Sequence, residues 1–522
     1  MNGLKDEMLK GGKRLFDFTK MSKNMGKCVM VSIAICLLMV AVKPSFSLAQ
    51  LRPNGDISKT INLKVVPAQP PYVNVFLDMA PVNCPITPYI ENGYTMVPIR
   101  ALGESLGATI GWDSKNKVVT YSKGEVSLLV TIGTSTINTK DGKILSMPQP
   151  ACLVNGTTMV PLRLFSEILG YDVAWDDNTR SVYISSPEEP VEIWGFYALG
   201  SLNYSSWQDL FGSNYPYTKS PCLAEDMKGI FAGWFFVQED GTVTAEQNPT
   251  GFQKPSGWPS VILEAKRHDV EVYSMYFADH QHSNISAILE EQVLRGKLAK
   301  DISIMALEYD GVLIDFEGLG LDPSKADSDM RNFNAFLDEL SGLLGDKPMG
   351  VAVHPLNSAY KGYDHEYIGQ IADFIVLMAY GYEDMSIPTP TAPFDKVDEA
   401  VKMEIELVDP QKVILSIPAY GTLYVTAGDR TYLHSRPPAK DGDIKFSDNR
   451  VRQMNERGFV PQYLCNYLEW EDMQGRHQAF LEDGVSLKVR LNLTKRYGIK
   501  GAAIWRLGYI TETVLAPVEL VE

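Results

Sequence analysis

Asp310-Gly311-Val312-Leu313-Ile314-Asp315-Phe316-Glu317 is a short apolar run that closes on two carboxylates spaced two residues apart. Strand alternation places Leu313, Asp315 and Glu317 on one face. Carboxylates so placed stand roughly 6 to 7 Å apart at the backbone, close enough to share a proton and raise one pKa toward neutrality. A Glu raised in this way is what a general acid needs at neutral pH. A solvated strand end carries the same pair without any chemistry, so the surrounding sequence must decide.

Upstream and downstream of this run, short buried-type apolar runs alternate with amphipathic stretches, which predicts βα units around a parallel sheet. The runs lie at Val191 to Tyr197, Gly229 to Phe236, Val270 to Tyr276, Gly311 to Asp315, Gly350 to Val353, Phe374 to Met378, Val413 to Ile417 and Gly501 to Trp505. Eight of them predict an α/β class (β/α)8 TIM barrel over residues 191–522, its reactive groups at the C-terminal strand ends. Helices are expected at Asp329 to Leu344 and Val397 to Leu407, each with an apolar face. The interval from about 420 to 484 is too long for one helix and is expected to hold an α+β insertion.

The octapeptide resembles the DGxDxDxE signature of glycoside hydrolase family 18, the chitinases and related N-acetylglucosaminidases. Gly195-Phe196-Tyr197 with Ser205-Ser206-Trp207, Met378-Ala379-Tyr380 and Trp505 extend the resemblance over residues 191 to about 512. The stretches Tyr467 to Asp472, Gly475-Arg476-His477 and Tyr497 to Gly501 look like the branch that lyses spore cortex and bacterial wall.

That resemblance implies roles at matching positions. Glu317 would protonate the glycosidic oxygen. Asp315 would orient the substrate acetamido group and stabilise its developing positive charge. Tyr380 would donate to the acetamido carbonyl, and Trp505 would floor the sugar next to the cleaved bond. Tyr197, Met378, Asp310 and Tyr382 complete the expected substrate-binding set, Asp310 standing before the strand as a supporting acceptor. The nucleophile would be the substrate's own carbonyl oxygen. Two departures stand out: Leu313 replaces an inward Asp or Asn, and Gly381 follows Tyr380 where many chitinases carry Asp, with Tyr382, Glu383 and Asp384 close by. His354, His280 and His282 follow strands but form no metal spacing, so neither metal nor cofactor is expected.

Ahead of the barrel the chain repeats itself. Thr95-Met96-Val97-Pro98-Ile99-Arg100 recurs as Thr158-Met159-Val160-Pro161-Leu162-Arg163, and the same offset carries Glu104, Gly107, Trp112 and Asp113 onto Glu167, Gly170, Trp175 and Asp176. Register kept across a fixed offset means duplication. Each copy predicts a strand ending in Val-Pro, a short helix and a Trp-Asp hairpin, with both tryptophans expected in the core. These residues resemble the copper amine oxidase N-terminal-like or stalk domain of Gram-positive surface proteins, giving a small duplicated α+β domain over 74–186. The repeat has no histidine, which argues against copper. A disulfide between Cys84 and Cys152 is expected.

Basic residues from Lys5 to Lys27 precede an apolar run from Val29 to Val42 and then Ser47-Leu48-Ala49. This pattern predicts an export signal over 1–49, too short in its apolar part to span a bilayer, and a linker over 50–73. Once the signal is cleaved, no membrane attachment is expected, and the location is outside the cell, at the wall or spore envelope. The 522 residues carry a net charge of −16, and losing the basic leader makes the remainder more acidic, so nucleic acid is excluded as a partner. The expected partners are cell-wall polysaccharide and chitin-like oligosaccharides. The reading is thus a secreted glycosidase that cleaves N-acetylglucosamine-containing glycan, whether peptidoglycan, cortex or chitin. A noncatalytic glycan-binding barrel stays open because of Leu313, though such a protein has no need of a proton donor.

Overall fold

The computed structural model describes residues 72–78, 80–177, 180–187, 191–198, 206–212, 223–246, 250–356, 359–439, 454–460 and 462–510. The expected export signal and nearly all of the expected linker lie outside these residues.

Eight parallel strands close on themselves: β1 Glu192–Ala198, β2 Gly229–Val237, β3 Glu271–Ala278, β4 Gly311–Phe316, β5 Met349–Val353, β6 Phe374–Leu377, β7 Val413–Pro418 and β8 Gly501–Trp505. Each pairs with its sequence neighbours, and β1 pairs with both β2 and β8, which seals the barrel. No expected strand misses its observed ends by more than two residues. Every residue of β2 and of β4 is buried, because the helices cover the outer face while side chains fill the lumen.

Alternation sorts these side chains into two cores. Leu313 points inward with Phe196, Phe231, Met275, Val376 and Ala503, whereas Val312, Ile314 and Phe316 face the helices. The lumen begins with an aromatic layer in which Trp194 stacks on Phe231 at 4.9 Å, with Tyr273 and Phe374 against it. Gly311, first in β4, and Gly350, second in β5, stand where a Cβ would strike the Tyr273 and Phe374 rings, so glycine sets the fit of this layer. Outside, the helix Ala326–Leu344 buries Phe333, Phe336, Leu337 and Leu340, and Phe394–Glu404 buries Val397, Ala400 and Val401.

Between β7 and β8 the chain forms a five-stranded antiparallel sheet from Thr422–Ala427, Arg430–Ser435, Met454–Val460, Cys465–Asp472 and Gly475–Leu481. The helix Gly484–Tyr497 then returns to the barrel, with Arg490 fully buried against Glu482 at 3.1 Å.

In the duplicated region the repeated strands Tyr94–Pro98 and Thr157–Pro161 pair with each other antiparallel, Val97 opposite Val160. An approximate two-fold relation between the copies follows from that register. The short helices Ile99–Ser105 and Leu162–Glu167 follow directly, and Val97, Leu102, Val160 and Phe165 meet in one core. Two expectations fail here. Trp112 and Trp175 are 47% and 37% exposed instead of buried, because the core is already filled by the aliphatic side chains around Val97 and Val160. Cys84 and Cys152 are both free thiols. Cys152 stands in the second copy where the first has Tyr89, and its Sγ faces the Tyr89 hydroxyl at 3.7 Å, not Cys84.

Candidate active site

Asp315 is the last inward side chain within β4, and Glu317 follows on the same face just beyond the strand. The Glu317 amide donates to the Ala278 carbonyl at 2.8 Å, which extends the ladder to β3 and fixes where the side chain departs. The turn after it is pinned by Tyr363, whose hydroxyl donates to the Phe316 carbonyl at 2.6 Å and accepts from the Leu319 amide at 3.4 Å. Gly318 takes φ +91°, and a Cβ there would strike the His280 ring, so His280 packs against the backbone next to Glu317.

Asp315 is 3% exposed, and its Oδ1 finds no hydrogen-bond partner among the described residues. Burial, then the charge of Glu317, pushes its carboxyl well above the ordinary range. Burial, then the charge of Asp279, pushes Glu317 from 4.5 up to about 7. Asp279 follows β3 and stays ionised against its own burial, because His282 Nδ1 lies 2.8 Å from its carboxylate and the Gln281 and His282 amides donate to it. The site thus holds two carboxyls whose pKa values are raised, Asp315 and Glu317, and a third, Asp279, whose value is lowered.

Tyr380 follows β6 and is half-buried, its hydroxyl pKa lifted well above the ordinary range by burial, then by Tyr420, Asp315 and Glu317. Met378 lines the lumen and donates its amide to the Val353 carbonyl at 2.9 Å. Trp505 ends β8, edge-on to Phe196 at 4.9 Å and near Phe252 at 6.0 Å. Glu317, Asp315, Tyr380, Met378 and Trp505 therefore share the C-terminal mouth of the barrel.

Two expected residues, Tyr197 and Asp310, do not. Tyr197 turns outward from β1 onto Trp234 at 5.8 Å in the helix-facing core, while its neighbour Phe196 takes the inward place. Asp310 sits at the opposite end of β4, where its Oδ2 accepts from the Val272 amide at 2.8 Å and joins two strand starts. Burial raises the Tyr382 hydroxyl, and its charged neighbours are Glu399 and Asp395 on the outer helix. Of the residues near Gly381, Glu383 is held by Arg436 at 2.6 Å and Asp384 caps its own turn.

Residues that the sequence did not single out also line this mouth. Asp279 and Tyr363 are two. Tyr360 is a third, stacked on His354 at 3.8 Å, its hydroxyl raised by burial and then by Glu317. Burial, then His365, lowers His354 to about 4, so it is neutral at pH 7. A polar residue directly after a barrel strand was the available signal for Asp279.

Residues 272–509 match the profile of glycosyl hydrolases family 18, and residues 76–184 match that of the copper amine oxidase N-terminal domain. A cortical fragment-lytic enzyme of Bacillus subtilis (strain 168) is 26% identical over 234 residues, 42% of this chain and 52% of the relative. The chain spans about half the length of the curated relatives it matches. A chitinase from Chromobacterium violaceum ATCC 12472 superposes with a TM-score of 0.51 at 20% identity, covering 62% of this chain and 96% of the other. The spore cortex-lytic enzyme SleL of Bacillus megaterium QM B1551 superposes with a TM-score of 0.50 at 21% identity, covering 62% and 73%. At such identities these likenesses establish the barrel fold. Among the described residues no helix is long and apolar enough to cross a membrane.

Proposed function

We propose that this chain, which carries a glycosyl hydrolases family 18 domain, is an exported glycosidase that cleaves N-acetylglucosamine-containing wall glycan through the anchimeric help of the substrate's acetamido group. The observation that carries the reading is the buried, unpartnered Asp315 Oδ1 beside a Glu317 whose pKa is raised to about 7. A buried acceptor without a partner is costly until something supplies a donor, and an acetamido N–H entering the barrel mouth would do so.

In this mechanism Glu317 gives its proton to the glycosidic oxygen as the bond to the anomeric carbon breaks. The acetamido carbonyl oxygen bonds to that carbon, and Asp315 accepts from the N–H and stabilises the positive charge of the cyclic oxazolinium. Tyr380 donates to the carbonyl and holds it for attack, while Trp505 underlies the sugar ring. Glu317, now ionised, takes a proton from a water that attacks the anomeric carbon, which opens the ring with retained configuration. The expected division of the chain supports this reading: residues 1–49 for export, 74–186 as a wall-facing stalk, and the barrel for chemistry.

The relatives described as cortical fragment-lytic enzymes support a peptidoglycan-type substrate. The experiment is to incubate the protein with purified peptidoglycan, spore cortex and chitin oligomers and to identify products by mass. Cleavage next to N-acetylglucosamine, with no turnover of the de-N-acetylated polymer, is the expected result. A sugar trapped covalently on Asp315 or Glu317 would overturn the mechanism. A second reading, a noncatalytic glycan-binding barrel, is favoured by Leu313, fully buried in the lumen beneath Asp315; binding to all three glycans without products would establish it.

A further inference from the structure

The two copies of the N-terminal duplication each carry an open surface groove, about 480 Å³ in the first and 500 Å³ in the second. Both are built from the same positions. Arg100, Glu104 and Trp112 line one, and their counterparts Arg163, Glu167 and Trp175 line the other.

Several exposed positions outside the grooves have drifted between the copies: Thr87 has become Pro150, and Thr109 has become Asp172. The exposed arginine, glutamate and tryptophan of the grooves have not, although Ala101, which also lines its groove, has become Leu164. Core packing does not explain their retention, since Trp112 and Trp175 are 47% and 37% exposed. The ion pairs do not explain it either, although Arg163 Nη1 also donates to the Val173 carbonyl at 2.7 Å. The Arg100–Glu104 and Arg163–Glu167 pairs, at 3.2 and 3.1 Å, are half exposed or more on both sides, where such pairs contribute little. A retained exposed indole next to a retained ion pair offers the same ligand-facing surface in both copies.

The chemistry of the grooves narrows that ligand. The indole offers a flat apolar face. The adjacent guanidinium and carboxylate offer forked donors and acceptors with no net charge, which gives a phosphate-rich or strongly anionic polymer no advantage. A pyranose ring has a C–H face for the indole, and its hydroxyl and amide edges suit the ion pair. Two identical sites on one molecule suit a ligand that repeats. We propose that the grooves at Trp112 and Trp175 are equivalent glycan-binding sites, each seating a segment of an N-acetylated amino-sugar polymer. The choice of that polymer over other repeating glycans rests on the function proposed for the barrel.

The test uses the full chain with Glu317→Gln, so that polymer is not consumed, and co-sedimentation with insoluble peptidoglycan and with chitin. Linking two sites multiplies retention well beyond either one. Trp112→Ala or Trp175→Ala is therefore expected to weaken sedimentation about fivefold or more, and the double variant about tenfold or more, leaving what the barrel cleft binds. Ile144→Ala, at an exposed apolar side chain outside both grooves, should sediment like the parent. Arg100→Ala with Arg163→Ala, both exposed, repeats the test should the tryptophan variants unfold. Parent-like sedimentation by folded double variants overturns the proposal. Product analysis of the unmodified chain separates the two ideas. Wall binding that depends on the tryptophans without hydrolysis keeps the grooves and removes the enzyme, and hydrolysis with unaltered sedimentation does the opposite.

Discussion

Asp279→Asn isolates what sets the acid. The Asp279 carboxylate is ionised, and its charge is the second cause, after burial, of the rise of Glu317 from 4.5 to about 7. At about 1.36 kcal/mol per pH unit the whole rise is worth about 3 kcal/mol. Burial contributes the larger part, so removing the charge takes away less than half. In the proposed mechanism Glu317 works in its protonated form, so kcat/KM should fall as pH rises through its pKa. The variant should therefore move that alkaline fall to lower pH by between about 0.3 and 1.2 units, without moving the acid limb by as much. Asn keeps an acceptor for the Gln281 and His282 amides, so the loop after β3 should hold its shape. The assay is a pH profile on a soluble N-acetylated glycoside, beside thermal unfolding of both proteins. An unmoved alkaline limb, or one moved upward, in a folded variant would refute the link between Asp279 and Glu317.

Glu317→Gln should lose about 100-fold or more in turnover, yet gain stability as pH rises. A carboxyl whose folded pKa lies above its unfolded one loses stability for the fold as pH climbs from 4.5 through about 7, and Gln removes up to about 3 kcal/mol of that loss. Urea unfolding at pH 5 and pH 8 checks this; an equal effect at both would contradict it. Leu313→Asn should raise activity or shift its pH optimum, since it puts a hydrogen-bonding group beneath Asp315, and a tenfold fall in a folded variant would show that the apolar lumen is adapted. Arg490→Met should destabilise the protein by about 3 to 5 kcal/mol at pH 8, because it leaves Glu482 charged, buried and uncompensated. Burial raises Glu482 to about 7, so the loss should shrink at pH 5, as thermal unfolding at both values will show.

The barrel was legible because each strand is a short apolar run flanked by turn residues, and the alternation of Leu313, Asp315 and Glu317 could be read from three letters. The phase of β1 could not. With both faces buried, Phe196 and Tyr197 look equivalent in sequence, and only the positions of Trp234 and Trp505 in space decide which ring points inward. Asp279 escaped notice because its partner Glu317 lies on the next strand, and nothing local signals the approach of two strand ends. The tryptophans of the duplication misled for a different reason. Size and apolarity make burial the default for an indole, and only the packed core around Val97 and Val160 shows that no room is left for them.

The first and last strands of the duplicated domain run side by side in the same direction, Asn74 to Leu77 against Ser181 to Ile184. The chain therefore enters at one end of this ribbon and leaves at the other. Tension applied between the segment before Asn74 and the chain after Ser185 pulls the two strands past each other along their length. The rungs between them, with the Asn74 amide on the Arg180 carbonyl at 3.1 Å and the Asp78 amide on the Ile184 carbonyl at 2.8 Å, then carry the load together and do not open one at a time. Such a clamp yields only when several hydrogen bonds fail at once, so the domain is arranged to transmit a pull along the chain without unravelling.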